Sequence, residues 1–253
     1  MMFRDILRLG SLILSILVAP RSVDAGPPFV TDDPEPVAYQ HVELDFFTQG
    51  TRTNNGTEGV APGLDANYGI APDIELTLIA PLAFNAPNGK TATYGYGDTQ
   101  FSLKYRFIHE TEGNWWPQVA LYPSISIPTG NIHRSLGTDS MQESLPVYLQ
   151  KDFYPWQIWG GAGYTNNPGA GNKSYWFFGG VLERKITDQL SLGGELFRQT
   201  SAETGEPDRD GFNLGGTYDL DENYHILFAA GRGIRNMAET NLFSYYMALQ
   251  VTY

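Results

Sequence analysis

Hydrophobic and polar side chains alternate with a period of two along most of the chain after residue 40. In residues 101–107, Phe-Ser-Leu-Lys-Tyr-Arg-Phe, every second side chain is apolar. A period of two is typical of a β-strand with one apolar face. The alternation recurs in twelve segments, an even number, and predicts an all-β fold. The predicted strands lie near residues 41–48, 60–70, 74–82, 98–108, 118–127, 144–151, 157–165, 175–186, 190–198, 212–219, 224–231 and 241–253.

The connections between these strands alternate between long and short. The short ones are centred on residues 71–73, 109–113, 153–155, 187–189 and 221–223. An up-and-down barrel with short periplasmic turns and longer external loops gives this alternation, whereas a Greek-key sandwich has no reason to follow it. The predicted long connections, rich in Gly, Asn, Thr, Pro and charge, are 49–59, 83–97, 128–143, 166–174, 199–211 and 232–240.

The strand ends favour a barrel that crosses a membrane. Aromatic residues such as Trp115, Trp116 and Trp156 fall at predicted strand ends, where membrane barrels carry interfacial aromatic girdles. The last strand ends on Tyr253, with alternate apolar residues before it, as in outer-membrane barrels recognised by the barrel assembly machinery. We therefore predict a transmembrane up-and-down antiparallel β-barrel over residues 41–253, with both termini in the periplasm.

The first 25 residues predict a signal peptide. Arg4 and Arg8 precede a short apolar run, and Val23-Asp24-Ala25 supplies small residues at a cleavage point. The apolar run of about twelve residues is shorter than the ~20 that a spanning helix needs, which disfavours a retained anchor. Residues 26–40 would then form a periplasmic segment before the barrel, with Asp32, Asp33 and Glu35 solvated. The expected location is the bacterial outer membrane.

Composition and motifs exclude several function classes. The formal charge of −12, from 28 acidic and 16 basic residues, opposes binding to nucleic acid. The chain has no Cys, and its four His residues lack metal-binding spacing. Neither a Gly-x-Ser-x-Gly elbow nor a Gly-x4-Gly-Lys-Ser/Thr loop occurs, so we predict no enzyme and no cofactor. Glu203, Glu206, Asp208 and Asp210 crowd one predicted loop, and we expect a solvated loop there rather than a divalent-cation site.

Five charged residues on the polar strand faces are the candidate site. A charged side chain costs roughly 2–4 kcal/mol on the lipid face at mid-membrane, so these residues are expected to face the lumen. They would converge in the periplasmic half of one wall. Two interpretations stay open: a constriction that selects small polar or anionic aromatic solutes, and a salt-bridge lattice that fills a narrow barrel. The five residues are Glu43, Asp45, Glu75, Lys104 and Arg106.

Glycine pairs and prolines interrupt several predicted strands. Pro123 and Pro146 each remove a hydrogen-bond donor from a wall that has no free edge, so we expect bulges there or different strand boundaries. The glycine pairs could either bend the sheet or leave free volume in the lumen. They are Gly160-Gly161, Gly179-Gly180, Gly193-Gly194 and Gly215-Gly216.

Four segments are similar to parts of a known family. They are Gly26-Pro27-Pro28-Phe29-Val30-Thr31-Asp32-Asp33-Pro34-Glu35-Pro36, Gly97-Asp98-Thr99 followed by Lys104-Tyr105-Arg106-Phe107, residues 123–130, and residues 190–197. The chain resembles the outer-membrane transporter family labelled for the phenol meta-cleavage degradation pathway. The resemblance implies an outer-membrane β-barrel near aromatic catabolism, and it transfers no substrate-binding residue.

These observations predict an outer-membrane channel or passive transporter for small solutes, aromatic ones among them. The alternative is a sealed barrel with a structural or surface-interaction role through its loops. The third hypothesis is an outer-membrane lipid hydrolase, which would need a Ser-His pair that the sequence does not indicate. The expected partners are outer-membrane lipids, the barrel assembly machinery through the Tyr253 strand, and a small-molecule solute.

Overall fold

The computed structural model describes residues 28–111 and 113–253, and the predicted signal peptide lies outside these ranges. No helix within them is long and apolar enough to cross a membrane. The strands are β1 (Val42–Thr53), β2 (Gly56–Ala71), β3 (Ile74–Pro87), β4 (Thr93–Tyr96), β5 (Thr99–Ile108), β6 (Gln118–Leu121), β7 (Ser124–Ile127), β8 (Gln142–Phe153), β9 (Trp156–Asn166), β10 (Tyr175–Lys185), β11 (Leu190–Gln199), β12 (Arg209–Asp219), β13 (Tyr224–Arg235) and β14 (Phe243–Thr252). A 3-10 helix (Ile132–Arg134) and helix α1 (Met237–Thr240) lie in connections.

The strands close into one antiparallel barrel, because β1 pairs with both β2 and β14. β4 and β5 both pair with β3 and together make one strand of the barrel. β6 and β7 likewise both pair with β5 and β8. The fourteen segments therefore form twelve barrel strands, which confirms the predicted fold class.

The alternating pattern of the sequence separates an apolar exterior from a polar interior. On β11 the exterior Leu196 is 64% exposed, whereas its neighbour Glu195, which faces the lumen, is 2% exposed. Leu214 on β12 is also 64% exposed on the outer face. An outer band of exposed apolar side chains around a polar interior is the arrangement of outer-membrane barrels, in which lipid covers the exterior.

The predicted alternation of long and short connections was wrong for the first and the fourth connection. The first connection, predicted as residues 49–59, is only Asn54-Asn55, because β1 and β2 continue pairing through Gly and Thr residues. Backbone pairing needs N–H and C=O groups rather than apolar side chains, so hydrophobic periodicity underestimates strand length. The fourth connection, predicted as residues 109–113, extends over 109–117 and carries the exposed Trp115 and Trp116.

The two prolines of the wall occur beside a break between β6 and β7. Pro123 lies in this break, whereas Pro146 lies inside β8. The Tyr122 amide donates to the Pro146 carbonyl, and the Leu103 amide donates to the Pro123 carbonyl. The missing proline donors thus fall where the ladder is already interrupted, so the wall stays closed.

Candidate functional site

Four of the five predicted site residues lie on one side of the inner wall. Glu43 and Asp45 of β1 are each 6% exposed, and Glu75 of β3 is 3% exposed. Lys104 of β5 lies directly opposite Glu75 in the strand register and is also buried. The structure therefore brings these four side chains to the lumen, while their role as a constriction stays a prediction.

Arg106 lies apart from these four side chains, at the end of the barrel that carries the short turns. Its guanidinium donates two hydrogen bonds to Asp73 in the β2–β3 turn, at 3.0 and 2.8 Å. A third bond, of 3.0 Å, goes to the Gln118 side chain. Arg106 thus fixes a turn to the wall instead of joining the cluster around Lys104.

Residues 28–40, here called the inner segment, lie inside the barrel. The Val37 amide donates to Glu75 on β3 at 2.7 Å, and the Thr31 amide donates to Glu195 on β11 at 2.7 Å. β3 and β11 are the third and ninth of the twelve strands around the barrel, so they face each other across it. The inner segment therefore spans the full width of the lumen.

Lys104 anchors the middle of the inner segment. Its ammonium lies 3.1 Å from the Asp32 carboxylate and 3.8 Å from that of Asp33. It also donates to the Glu35 carbonyl at 3.3 Å and lies 4.9 Å from the centre of the Tyr122 ring. The expectation that Asp32 and Asp33 are solvated in the periplasm is wrong, because a buried lysine provides their counter-charge within the lumen.

The side chain of Glu35 is held by two amide groups of the wall. Gln118 of β6 and Gln150 of β8, both 2% exposed, donate from their Nε2 atoms to Glu35 Oε1. Glu35 was also expected to be solvated, and this expectation is corrected in the same way. Charge-assisted hydrogen bonds of this kind are stronger than neutral ones and so compensate for burial of the carboxylate.

Glu195 receives the tip of the inner segment. Its carboxylate accepts hydrogen bonds from the backbone amides of Val30 and Thr31 and from the Thr31 hydroxyl, the last at 2.6 Å. It also accepts a hydrogen bond of 2.6 Å from the side-chain amide of Asn213. The Trp159 indole donates to the Thr31 carbonyl at 3.1 Å. Four donors converge on one buried carboxylate, so Glu195 is the principal anchor of the tip.

Of the two roles considered for the glycine pairs, free lumen volume does not apply at Gly161 and Gly179. A Cβ added at Gly179 would lie 1.8 Å from the Thr31 hydroxyl, so this glycine makes room for the inner segment. A Cβ at Gly161 would lie 2.5 Å from the Tyr148 ring. By contrast, a Cβ at Gly180 would have no heavy atom closer than 3.9 Å. Gly179 therefore makes room for the inner segment, and Gly161 makes room for the Val147 carbonyl and the Tyr148 ring.

Aromatic side chains line other parts of the lumen. The rings of Phe47 and Tyr246 stack with centroids 5.9 Å apart, and those of Phe177 and Phe197 stack at 6.5 Å. Leu227 and Ala248 pack with Phe47 in a small buried apolar cluster. The interior is thus partly polar and partly aromatic.

The connection 128–141 folds inward at the end of the barrel that carries the long loops. Asp98 accepts hydrogen bonds from the Gly130 amide, the Thr138 amide and the Thr138 hydroxyl, at 2.7–2.9 Å. Leu136 is 4% exposed, and its side chain packs over Gly95, where an added Cβ would lie 3.3 Å from Leu136 Cδ1. This loop narrows the entrance opposite the inner segment.

The acidic loop after β11 forms ion pairs with arginines. Arg198 lies 2.6 Å from Asp208 and 3.4 Å from Asp210, and Asp208 also accepts the Ser201 amide. Within residues 28–111 and 113–253, no group of three or more His, Asp or Glu side chains is arranged to hold a metal ion. The loop's acidic residues are therefore accounted for by local contacts and by solvent.

Several site residues escaped the sequence analysis. Glu195 and Asp65 lie on inward strand positions, so the same alternation that indicated Glu43 would have indicated them. Gln118 and Gln150 carry no charge and gave no signal. The role of Asp32 could not be found from periodicity, because the inner segment is irregular and its path depends on the closed barrel.

Comparisons with known proteins agree with this architecture. The sequence model of a family described as "Putative MetA-pathway of phenol degradation" matches residues 21–250. In fold the chain is similar to an outer membrane channel from Pseudomonas putida F1, with 13% identity, a TM-score of 0.68, and coverage of 87% of this chain and 97% of that one.

Two porins are also similar in fold. The NanC porin has 10% identity and a TM-score of 0.55, covering 83% of this chain and 98% of its own. The KdgM porin has 11% identity and a TM-score of 0.54, with 83% and 99% covered. No curated protein matches the chain. At these identities the similarity establishes a shared fold.

Proposed function

The chain belongs to the phenol-degradation family whose model it matches, and from this premise we propose that it forms a gated outer-membrane channel for small solutes. The inner segment is the gate in this proposal. Solutes pass when the segment leaves the lumen, and the barrel is closed when the segment is docked. The apolar exterior of the barrel and the fold shared with outer-membrane proteins support the location.

The observation that carries the proposal is the path of the inner segment across the lumen. Its contacts with Glu75, Lys104 and Glu195 are hydrogen bonds and ion pairs, which break and re-form without covalent chemistry. The segment has no regular strand pairing over residues 28–38, so it can move without disrupting the barrel wall. A reversible plug in a continuous wall is the arrangement that a gate requires.

The proposed solutes are small and include aromatic compounds. The stacked pairs Phe47–Tyr246 and Phe177–Phe197 offer ring faces inside the lumen. Aromatic pairs contribute about 0.5–1.5 kcal/mol beyond the burial of their area, so a passing ring could replace one such contact by another. The family's link to phenol degradation is consistent with this class.

Conductance of the refolded protein in planar bilayers tests the proposal. We expect brief or small current steps from the full-length mature chain, and a steady larger current from a variant that lacks residues 28–36. Phenols added to one side should reduce the current of the shortened variant. Charge reversal by Lys104→Glu should shift the reversal potential towards cation selectivity, because Lys104 is the buried cation of this wall.

A sealed barrel is the second candidate, favoured by the hydrogen bonds that hold the inner segment across the lumen and by those that hold the connection 128–141 at the entrance. It predicts silence from the full-length chain and from the shortened variant alike, once both are demonstrably inserted. Silence of both would therefore replace the channel proposal with a structural or surface-interaction role.

A further inference from the structure

The tip of the inner segment, residues 29–31, presents an aromatic ring and hydrogen-bonding groups to the wall. The centre of the Phe29 ring lies 6.0 Å from that of the Trp159 ring, with the two planes inclined at 55°. The Thr31 hydroxyl donates to the Glu195 carboxylate at 2.6 Å, and the Thr31 carbonyl accepts the Trp159 indole N–H at 3.1 Å. A hydroxylated aromatic molecule also combines a ring, a donor and an acceptor. The tip therefore resembles a small solute in its chemistry.

The wall groups that hold the tip are buried. Glu195 is 2% exposed and Trp159 is 4% exposed. The Glu195 carboxylate accepts three hydrogen bonds from Val30 and Thr31, and a fourth from Asn213 of the wall. Undocking of the tip removes three of these four donors, and it also takes the acceptor from the indole N–H. Because buried polar groups normally have partners, the wall then favours a ligand that supplies both a donor and an acceptor.

The tip also fills a space that an aromatic ring can use. Thr31 lies over Gly179, where an added Cβ would be 1.8 Å from the Thr31 hydroxyl. The same added Cβ would lie 3.0 Å from the Phe177 ring, so this ring adjoins the position of the Thr31 side chain. Release of the tip therefore opens a recess above a glycine, with the rings of Trp159 and Phe177 beside it.

We propose that the tip occupies the binding site of a neutral aromatic solute that carries a hydroxyl group, and that this solute displaces the tip. The solute hydroxyl donates to Glu195 and accepts from the Trp159 indole, as the hydroxyl and carbonyl of Thr31 do. Its ring packs against Trp159 and Phe177. The inference rests on the proposed function, because the inner segment must be able to leave the wall. It adds to that function a binding site and a cause of opening, and the Glu195 charge disfavours the anionic solutes expected from sequence.

Displacement follows from mutual exclusion of the solute and the tip. A ligand that binds one of two states shifts their ratio by the factor 1 + [L]/Kd. At a free concentration ten times its Kd for the vacant site, the solute should raise the ratio of undocked to docked segments about elevenfold. A solute with equal affinity for both states would leave the ratio unchanged. The exposure of the inner segment is therefore the quantity to measure.

The labelling rate of a cysteine in the inner segment reports its exposure. The chain has no cysteine, and the Pro34 side chain is fully buried. In refolded Pro34→Cys protein, N-ethylmaleimide should react about tenfold faster in phenol at ten times its Kd. Anisole, which has the ring and the oxygen but no donor, should have a much smaller effect at the same free concentration, and benzoate should have none. Equal effects of phenol and anisole, or no effect of phenol, would overturn the inference.

Val30→Cys is the control for access of the reagent. Val30 is 57% exposed in the docked segment, so its cysteine should react quickly with or without phenol. Slower labelling of this cysteine in phenol would show that phenol obstructs the reagent, and the rates measured with Pro34→Cys are then corrected by that factor.

Glu195→Gln separates recognition of the solute from docking of the tip. Release of the tip alone would tighten phenol binding, because the competitor is gone, whereas loss of the carboxylate acceptor weakens it. Isothermal titration should show phenol binding at least about tenfold more weakly to Glu195→Gln than to the unaltered protein. Glu203→Gln, in an exposed loop, should leave the affinity unchanged. Equal or tighter binding of phenol by Glu195→Gln would contradict the proposed site.

Heat-modifiable gel migration checks the folding of each variant. If a variant does not fold, titration of the unaltered protein decides: phenol should bind at least about tenfold more tightly than anisole, and benzoate most weakly. Equal affinities of the three probes would overturn the inference. Release of the tip by phenol in a protein that carries no current would overturn the channel proposal and leave this inference standing, whereas current without such release would do the reverse.

Discussion

Gly179→Ala tests the docking of the inner segment with a single methyl group. The added Cβ would lie 1.8 Å from the Thr31 hydroxyl and 3.0 Å from the Thr31 Cβ. Contacts this short do not occur, so Thr31 must move. The backbone pairing of Gly179 with Gly161 and Phe197 uses no side-chain atom and should survive. The added Cβ would also lie 3.0 Å from the Phe177 ring of the wall, but its shortest contact by far is with Thr31, so the substitution acts mainly on the inner segment.

The size of the effect follows from the bonds that Thr31 makes. Its amide and hydroxyl donate to the Glu195 carboxylate at 2.7 and 2.6 Å. Hydrogen bonds to charged groups contribute about 1.5–3 kcal/mol each, so loss of both weakens docking by at most about 3–6 kcal/mol. At about 1.4 kcal/mol per factor of ten, the ratio of closed to open channels falls by at most about two to four orders of magnitude.

Single-channel recording gives the open fraction directly. Gly179→Ala should open for a much larger share of the record than the unaltered chain, with a similar urea midpoint for loss of the heat-modifiable form. Gly180→Ala is the matched control, because its Cβ would meet nothing closer than 3.9 Å, and it should behave like the unaltered chain. Equal open fractions in Gly179→Ala and Gly180→Ala would refute the assignment of Thr31 as part of the closed gate.

Three further predictions concern other contacts of the lumen and its entrance. Lys104→Met leaves Asp32 and Asp33 without their cation, and removal of one partner of a buried ion pair costs about 3–5 kcal/mol. The inner segment should therefore dock less tightly, and current records should show the channel open more often. The control is Lys90→Met in an exposed turn, which should leave the current records unchanged. Asp98→Asn removes a carboxylate that holds the connection 128–141, so trypsin should cleave after Arg134 faster than in the unaltered chain; an equal rate would show that Asp98 does not hold the loop. Glu35→Gln keeps the size of the side chain but removes its charge, which weakens the hydrogen bonds from Gln118 and Gln150. The open fraction should rise less than in Lys104→Met. A larger rise would show that Glu35 holds the inner segment more strongly than Lys104 does.

The barrel could be predicted because its wall repeats a local pattern. Alternation in residues 101–107 reports which side chains face lipid and which face the lumen, and it does so without knowledge of the neighbouring strands. The same alternation placed Glu43, Asp45, Glu75 and Lys104 on the inner face. It failed at the strand ends, where Gly and Thr residues of β1 and β2 pair without any hydrophobic periodicity.

The docking of the inner segment could not be predicted in this way. The inner segment has no periodicity, and the partners of Asp32 and Thr31 lie 72 and 164 residues away along the chain. Such contacts exist only once the barrel has closed, so a local pattern carries no information about them. The charged residues of the inner segment looked like a solvated stretch because their counter-charge and donors lie on distant strands.

A reversible covalent lock on the gate is the most direct test of the account. The chain has no cysteine. A Cβ added at Gly179 would lie 3.0 Å from Thr31 Cβ, about 0.5 Å below the range of Cβ–Cβ distances in disulfides, so a small shift allows the bond to form. Thr31→Cys with Gly179→Cys can therefore be oxidised in the bilayer chamber and then reduced, with each single-cysteine variant as a control. The account predicts that oxidation abolishes the current and that reduction restores it. A current that is the same in the oxidised and reduced forms, with the disulfide verified by mass spectrometry, would contradict it.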